Sequence, residues 1–220
     1  MQLTLEEKID KFKKRPLSWS SISSFTFNKS NAKDEWYNNY ILDHKEPPSE
    51  EMKYGSKIGK MMELDSNFLP EIPRYGKDEY KFSVKYNGIK LVGYADSFNH
   101  ITCKQLGERK TGKHGAYEWS QKKCNDIFLG GQLTMYCFMN YIQNKVKPED
   151  VEIVLSWIPT DKHEDENFKV SIDRVGDIQH FKTKRKMQDI IEFGLYINKV
   201  YKQMEEFIKE KHLLSCEEIV

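Results

Sequence analysis

Two carboxylates and a lysine stand inside what otherwise reads as the best strand sequence of the chain. "LVGYADSF" carries Asp96 and "KQLGERKT" carries Glu108 and Lys110, where a plain sheet would place Val or Thr. Side chains alternate along a strand, so Leu106, Glu108 and Lys110 share one face, as do Val92, Tyr94 and Asp96. If the two strands are neighbours, Asp96 meets Glu108 at one edge of the sheet with Lys110 beside them. Carboxylates a few ångströms apart repel unless a cation neutralises them. A hard divalent ion with oxygen ligands, Mg²⁺ or Mn²⁺, suits such a pair. Lys110 would face the ion and its water without ligating it. Such a site lowers the pKa of bound water and stabilises charge on a phosphate, so the chemistry implied is phosphodiester hydrolysis. The plainer reading is a charged edge strand that resists aggregation.

The elements that must position these residues are legible from period and punctuation. Thr4 with Glu7 forms a capping-box signature for a first helix that Pro16 stops. "LSWSSISSF" starts a second helix and "AKDEWYNNYIL" forms a third. "HKEPPSEE" is a loop, because paired prolines cannot continue a helix. In "YGSKIGKMMELDSNF", Ile58, Met61 and Met62 follow helical spacing. Phe82, Val84 and Tyr86 alternate with polar residues, and Asn87-Gly88 supplies the two positive-φ positions of a type I′ hairpin. "SQKKCNDIFLGGQLTMYCFMNYIQNK" reads as one long helix interrupted at Gly130-Gly131. "VEIVLSWIP" and "FKVSIDRV" read as a second hairpin across the acidic loop "TDKHEDEN". From Asp177 to Leu214 the chain is predicted mostly helical, with Ile190, Ile191, Leu195, Ile197 and Val200 on one stripe. The sum is a single α/β domain over residues 1–220.

Composition narrows the function classes. The 220 residues carry 35 basic and 34 acidic side chains, a net charge of +1. That excludes a polycation but leaves room for a local basic groove. Cys103, Cys124, Cys137 and Cys216 stand far apart with no C-x-x-C pair, which argues against a zinc knuckle or disulfide framework and suits a reducing cytoplasm. The first twenty residues do not read as a signal peptide, and no apolar run is long enough to span a bilayer. A cytoplasmic protein with no membrane partner is therefore expected. Lys104, Arg109, Lys110, Lys113, Lys122 and Lys123 crowd the proposed site and are assigned to a phosphate-contacting groove. A second cluster, "KTKRK" at 182–186, is placed away from it. Trp19, Trp36 and Trp119 are candidates for base stacking, with core packing the alternative for at least one.

"GYADSF" followed by "LGERKTGK" resembles the PD-(D/E)XK nuclease superfamily, in which an Asp on one strand precedes E-x-K on the next. "GGQLTMY", with Gln132 and Tyr136 a turn apart, resembles the Q-x-x-x-Y motif of its RecB-like branch. "LSWSSISSF" resembles the branch's Ser-rich opening helix, and "GSKIGKMME" its G-x-x-x-H-x-x-x-E helix, with Gly55 and Glu63 in register. The resemblance covers residues 17–142 in the family's order. It implies a restriction-endonuclease-like core, a mixed sheet flanked by helices, and a metal-dependent deoxyribonuclease, an exonuclease acting on DNA ends. It further implies that the backbone carbonyl of Arg109 joins Asp96 and Glu108 as a metal ligand. Lys110 then orients or deprotonates the water, and Gln132, Tyr136, Ser18 and Ser20 contact nucleic acid. Phage DNA processing, recombination or CRISPR-type adaptation, with a partner protein, are the settings it implies. Gly59 stands where the branch has a metal-binding His, so Glu63 or water would complete the coordination. The cysteines lie at none of the iron–sulfur positions, so no cluster is expected. The rival readings are a catalytically silent DNA-binding or scaffolding module of the same fold, and an RNA-directed nuclease.

Overall fold

The structure, a computed structural model, describes residues 3–26, 29–44, 47–65, 67–113, 118–164 and 170–217. Its helices begin where the caps dictate. Helix α1 (Leu5–Lys14) carries the full capping box, Thr4 and Glu7 each accepting the other's backbone N–H. Helix α2 (Trp19–Thr26) starts after Ser18, whose hydroxyl accepts from the Ser21 N–H at 3.3 Å. Helix α3 spans Ala32–Tyr40. Helix α4 spans Glu50–Leu64, starting four residues before the predicted 54 because Ser49 caps it by accepting from Met52 N.

Strands β1 (Lys77–Tyr86) and β2 (Ile89–Phe98) form the expected hairpin, closed by Asn87 at φ 47° and Gly88 at φ 86°. Strand β3 (Gln105–Gly112) runs antiparallel to β2 and parallel to β4 (Glu152–Glu164). A parallel pair needs a crossover, and α5 (Gln121–Asn125) and α6 (Gly131–Asn144) supply it as two helices rather than one. Gly131, at the start of α6, has a steric role of its own. A Cβ at Gly131 would lie 2.0 Å from the Trp19 ring, so only glycine lets α2 and α6 approach there. The end of β4 pairs with β5 (Val170–Arg174), so the predicted acidic loop is strand through Glu164. The rest of that loop, 165–167, and the predicted strand start at 168–169 lie outside the described residues.

One expectation holds only in part. The segment predicted to be helical from Asp177 begins as strand β6 (Gln179–Thr183), antiparallel to β4, before α7 (Met187–Glu217) starts. Five mostly polar residues carry no strand period, and the open edge of β4 decides their conformation. On α7, Ile190, Ile197 and Val200 are buried, but Ile191 and Leu195 are exposed, so the predicted stripe is narrower than read.

The six-stranded mixed sheet runs β1-β2-β3-β4-β5, with β6 on β4. On one face α6 is buried almost along its length, with α7 behind it through Phe193, Ile197, Met204 and Ile208. Each such fully buried side chain contributes about 1.5–3 kcal/mol. On the other face α4 seats Ile58 and Met62 against Ile72 and Ile158. The sheet has one irregularity that matters. Among the described residues β2 and β3 pair only through Ser97↔Gly107 and Phe98↔Leu106, and then part. Leu17 takes part of the freed β2 edge, donating to Lys90 O at 2.8 Å and accepting from Val92 N at 3.0 Å.

Candidate active site

The fork between β2 and β3 gathers the candidate site residues. One step beyond the last ladder pair, Asp96 stands opposite Glu108. Glu108 faces α6 and is 2% exposed. Its Oε1 accepts from Lys110 Nζ at 2.7 Å, while its Oε2 is buried with no hydrogen-bond partner. Burial, and then the Asp96 charge, push the Glu108 carboxyl up to about 8, with Lys110 and Arg109 pulling the other way. Burial works against the Lys110 ammonium too, but the Glu108 charge and hydrogen bond hold it above its ordinary value. Lys110 is therefore a donor at this site.

On the α4 side Asp96 has its own partners. Its Oδ2 accepts the Arg109 backbone N–H at 2.5 Å and lies 3.6 Å from the Arg109 guanidinium. The same guanidinium reaches Met62 Sδ at 3.3 Å and Glu79 at 3.8 Å. Glu79 was not singled out in the sequence. It sits in β1 at φ 48°, a left-handed conformation sparsely populated by non-glycine residues. Burial, followed by the nearby Asp96 charge, raises its carboxyl. Its signal was present: counting back from the Asn87-Gly88 turn puts residue 79 opposite residue 96. The Arg109 side chain, expected in a phosphate-contacting groove, instead lies against Asp96 and Glu79.

Two hollows flank the fork. The first, about 400 Å³, is lined by Asp96, Arg109, Lys110, Thr111, Gly55 and Gly59. A Cβ on Gly59 would meet nothing within 4 Å, so the place of the missing histidine is open space facing Asp96 and Lys110. Glu63, one turn further along α4, is exposed and does not line this hollow, though its charge is felt at Glu79. The second hollow, about 660 Å³, lies over the free edge of β2 and gathers Arg15, Ser18, Ser20, Tyr94, Gln132 and Tyr136. Gln132 Nε2 donates to Tyr136 Oη at 2.6 Å, and Tyr136 donates to the Tyr94 carbonyl on that edge. Burial, and then Glu108, keep the Tyr136 phenol protonated far above its ordinary value. Ser18 and Ser20 share a hydroxyl–hydroxyl contact of 2.9 Å. Arg15, unremarked in the sequence, stacks 4.6 Å over Tyr40 and donates to its carbonyl at 3.1 Å.

The predicted basic groove does not assemble. Lys104 lies at the opposite end of β3 and faces Asp150 at 3.6 Å. Lys122 and Lys123 sit on α5, which packs against β6, and neither lines either hollow. Lys113 does lie just past the site end of β3, facing Asp161 at 3.6 Å. In "KTKRK", Arg185 is 1% exposed and belongs to the core. Trp36 is also core, donating to Ser21 Oγ at 3.0 Å, whereas Trp19 lines the second hollow and Trp119 packs partly buried on the core.

Magnesium commonly keeps several waters and takes only one or two protein carboxylates. Among the described residues no three His, Cys, Asp or Glu side chains converge. The pair Asp96 and Glu108, with an unpartnered buried oxygen on Glu108, fits such an ion.

Fold and fork define a single-domain α/β protein with a mixed sheet opened at one strand pair. No family model and no curated relative matches the chain. Two solved structures are similar to it over most of their length. One is LHK-Exo in complex with dAMP, at 10% identity and TM-score 0.47, covering 97% of this chain and 99% of that one. The other, from Eubacterium rectale and described as a candidate exonuclease, has 14% identity and TM-score 0.40, covering 96% of this chain and 88% of that one. No helix among the described residues is long and apolar enough to cross a membrane.

Proposed function

We propose that the chain is a metal-dependent nuclease that hydrolyses DNA phosphodiester bonds from strand ends. The observation that carries this reading is the buried Glu108 carboxylate with one oxygen on Lys110 and the other unpartnered. A buried carboxyl left half satisfied is costly, and a bound cation would satisfy it. Asp96 and Glu108 would hold Mg²⁺ or Mn²⁺, with the Arg109 carbonyl as a third protein oxygen. When bound, the ion supplies Lewis acidity and a water of lowered pKa.

The remaining work falls to side chains already in place. Lys110, an ammonium, orients the attacking water and donates to the non-bridging phosphate oxygen as charge develops there. Arg109 neutralises Asp96 and Glu79, so the carboxylates do not repel the substrate. Gln132 and the Tyr136–Tyr94 contact fix the free edge of β2 against α6, which holds the fork open. Arg15, Ser18 and Ser20 offer a cation and hydroxyls to a second phosphate of the same strand, and Trp19 and Tyr94 offer rings to its bases. A hollow of this kind beside a cleavage fork suits a strand end.

The test uses end-labelled linear duplex, single-stranded DNA, RNA and closed circular DNA with Mg²⁺, Mn²⁺ or EDTA. Linear DNA should shorten from its ends with either metal, circular DNA should be spared, and EDTA should stop the reaction. Full activity in EDTA overturns the metal site, and equal cutting of circles overturns the end requirement.

A further inference from the structure

We propose that the solvent face of the β1–β2 hairpin is a track for the DNA phosphate backbone, leading to Asp96. The inference rests on the nuclease reading and adds the surface that feeds its site. The register is regular here: Lys85 faces Lys90, Ser83 faces Val92, Lys81 faces Tyr94, and Glu79 stands opposite Asp96. These residues alternate with the buried Phe82, Leu91 and Ala95, so they share the outer face of the hairpin. Lys81, Lys85 and Lys90 are exposed, and among the described residues none of the three forms an ion pair. Lys81 lies 5.8 Å over the ring of Tyr94, which is itself 49% exposed.

Like charges directly opposite on a sheet are destabilising, so the Lys85–Lys90 pair disfavours the free hairpin. Edge-strand lysines can serve to block aggregation, but that role covers β1 alone. Lys90 is on β2, which is paired on one side with β1 and partly covered by Leu17 on the other. A polyanion lying across both strands removes the repulsion and explains both lysines. The two acids on this face, Glu79 and Asp96, both face Arg109, at 3.8 Å and 3.6 Å, rather than the lysines.

The dimensions agree. From Lys90 to Asp96 a strand extends about 20 Å at ~3.4 Å per residue. That is the axial rise of about six phosphates on one strand of a duplex. Tyr94 also lines the hollow with Ser18, Ser20 and Arg15, so the track adjoins it. The basic surface sought around Lys122 and Lys123 is thereby replaced by one whose register ends at the fork.

The experiment compares the wild-type chain with the triple variant Lys81→Gln, Lys85→Gln, Lys90→Gln. Affinity for a labelled duplex is read by fluorescence anisotropy across a salt series, with Ca²⁺ in place of Mg²⁺. Each lost phosphate contact should flatten the log–log salt slope by about 0.9, so the triple variant should lose roughly 2 to 3. Binding at low salt should weaken at least tenfold. Mg²⁺-dependent cleavage of a trinucleotide, too short to reach Lys85 and Lys90, should fall less than cleavage of the long duplex, and equal losses on both substrates would overturn the track. The melting temperature should hold or rise, which keeps the loss from being an unfolding effect. An unchanged salt slope in a variant whose wild type cleaves DNA overturns the track and leaves the nuclease reading standing. A wild type that neither binds nor cleaves DNA overturns both.

Discussion

Two ionisable side chains are buried to nearly the same degree in this chain, and they are treated in opposite ways. Arg185 is 1% exposed and donates to Thr134 at 2.8 Å, Thr183 at 2.9 Å, the Cys124 carbonyl at 2.8 Å and the Lys184 carbonyl at 3.1 Å. Glu108 is 2% exposed, yet one of its oxygens has no partner. The first site satisfies its charge internally and ties α5, α6 and β6 together. The second leaves one buried acceptor unpartnered next to Lys110, which lines the first hollow with Asp96. The first completes its hydrogen bonds within the fold; the second is the group we propose binds a metal.

The sharpest way to break this contrast is to remove each charge in turn. Glu108→Gln should abolish detectable cleavage of DNA while the protein stays folded. Arg185→Met should do the reverse, leaving two threonines and two carbonyls without their donor. That should destabilise by about 3 kcal/mol or more, lowering Tm by roughly 6–12 °C, with cleavage per folded molecule retained. Thermal melts and nuclease assays on both variants measure the pair of effects. If Arg185→Met kills activity without melting the fold, the contrast is wrong.

Lys110→Ala should slow hydrolysis by about two to four orders of magnitude, the range for a single donor or proton-transfer group. Lys110→Arg should restore only part of the rate, because a planar guanidinium places its donors differently. Single-turnover kinetics decide this. A Lys110→Ala protein with wild-type turnover removes the residue from the mechanism.

The pH dependence has a definite sign. The folded-state pKa of Glu108 is raised, so the metal-free fold binds a proton that the unfolded chain releases. Stability from this group is therefore complete below the ordinary carboxylate pKa and is lost as pH rises through about 8. Glu108→Gln should flatten that loss in urea titrations of metal-free protein. Metal binding must displace the same proton, so Mg²⁺ affinity should climb with pH and level off above about 8. A pH-independent affinity would contradict the assignment.

The smallest effect concerns Gly59. It lies inside α4 with open space around its missing Cβ. Gly59→Ala should stabilise the helix by about 0.5–1 kcal/mol and leave cleavage unchanged. A drop in activity would show that the substrate needs that space.

Much of this was legible before any coordinates. The alternation of Phe82, Val84 and Tyr86 and the Asn87-Gly88 turn specified the hairpin, and hairpin register follows from turn type. That register already contained Glu79 opposite Asp96 and Lys85 opposite Lys90. Local pattern could not show that β2 and β3 separate after two pairs, because that depends on Leu17 and Tyr136 holding the freed edge. Strand β6 was illegible for a related reason: "QHFKT" has no apolar period, and β4 imposes its conformation. The basic groove was misplaced because nearness in sequence was taken for nearness in space. Lys122 and Lys123 follow the site by a dozen residues but ride on a crossover helix that packs against β6. Arg185 read as one more surface cation, although burial had made it the best-satisfied charge in the core.

If the open oxygen of Glu108 is a metal ligand, metal binding must depend on it. A calorimetric titration of Mn²⁺ into the wild-type chain, Glu108→Gln, Asp96→Asn and Arg185→Met at pH 8 tests it directly. The expected result is one site in the wild type, retained in folded Arg185→Met and lost in both carboxylate variants. Equal Mn²⁺ binding by wild type and Glu108→Gln would contradict the account.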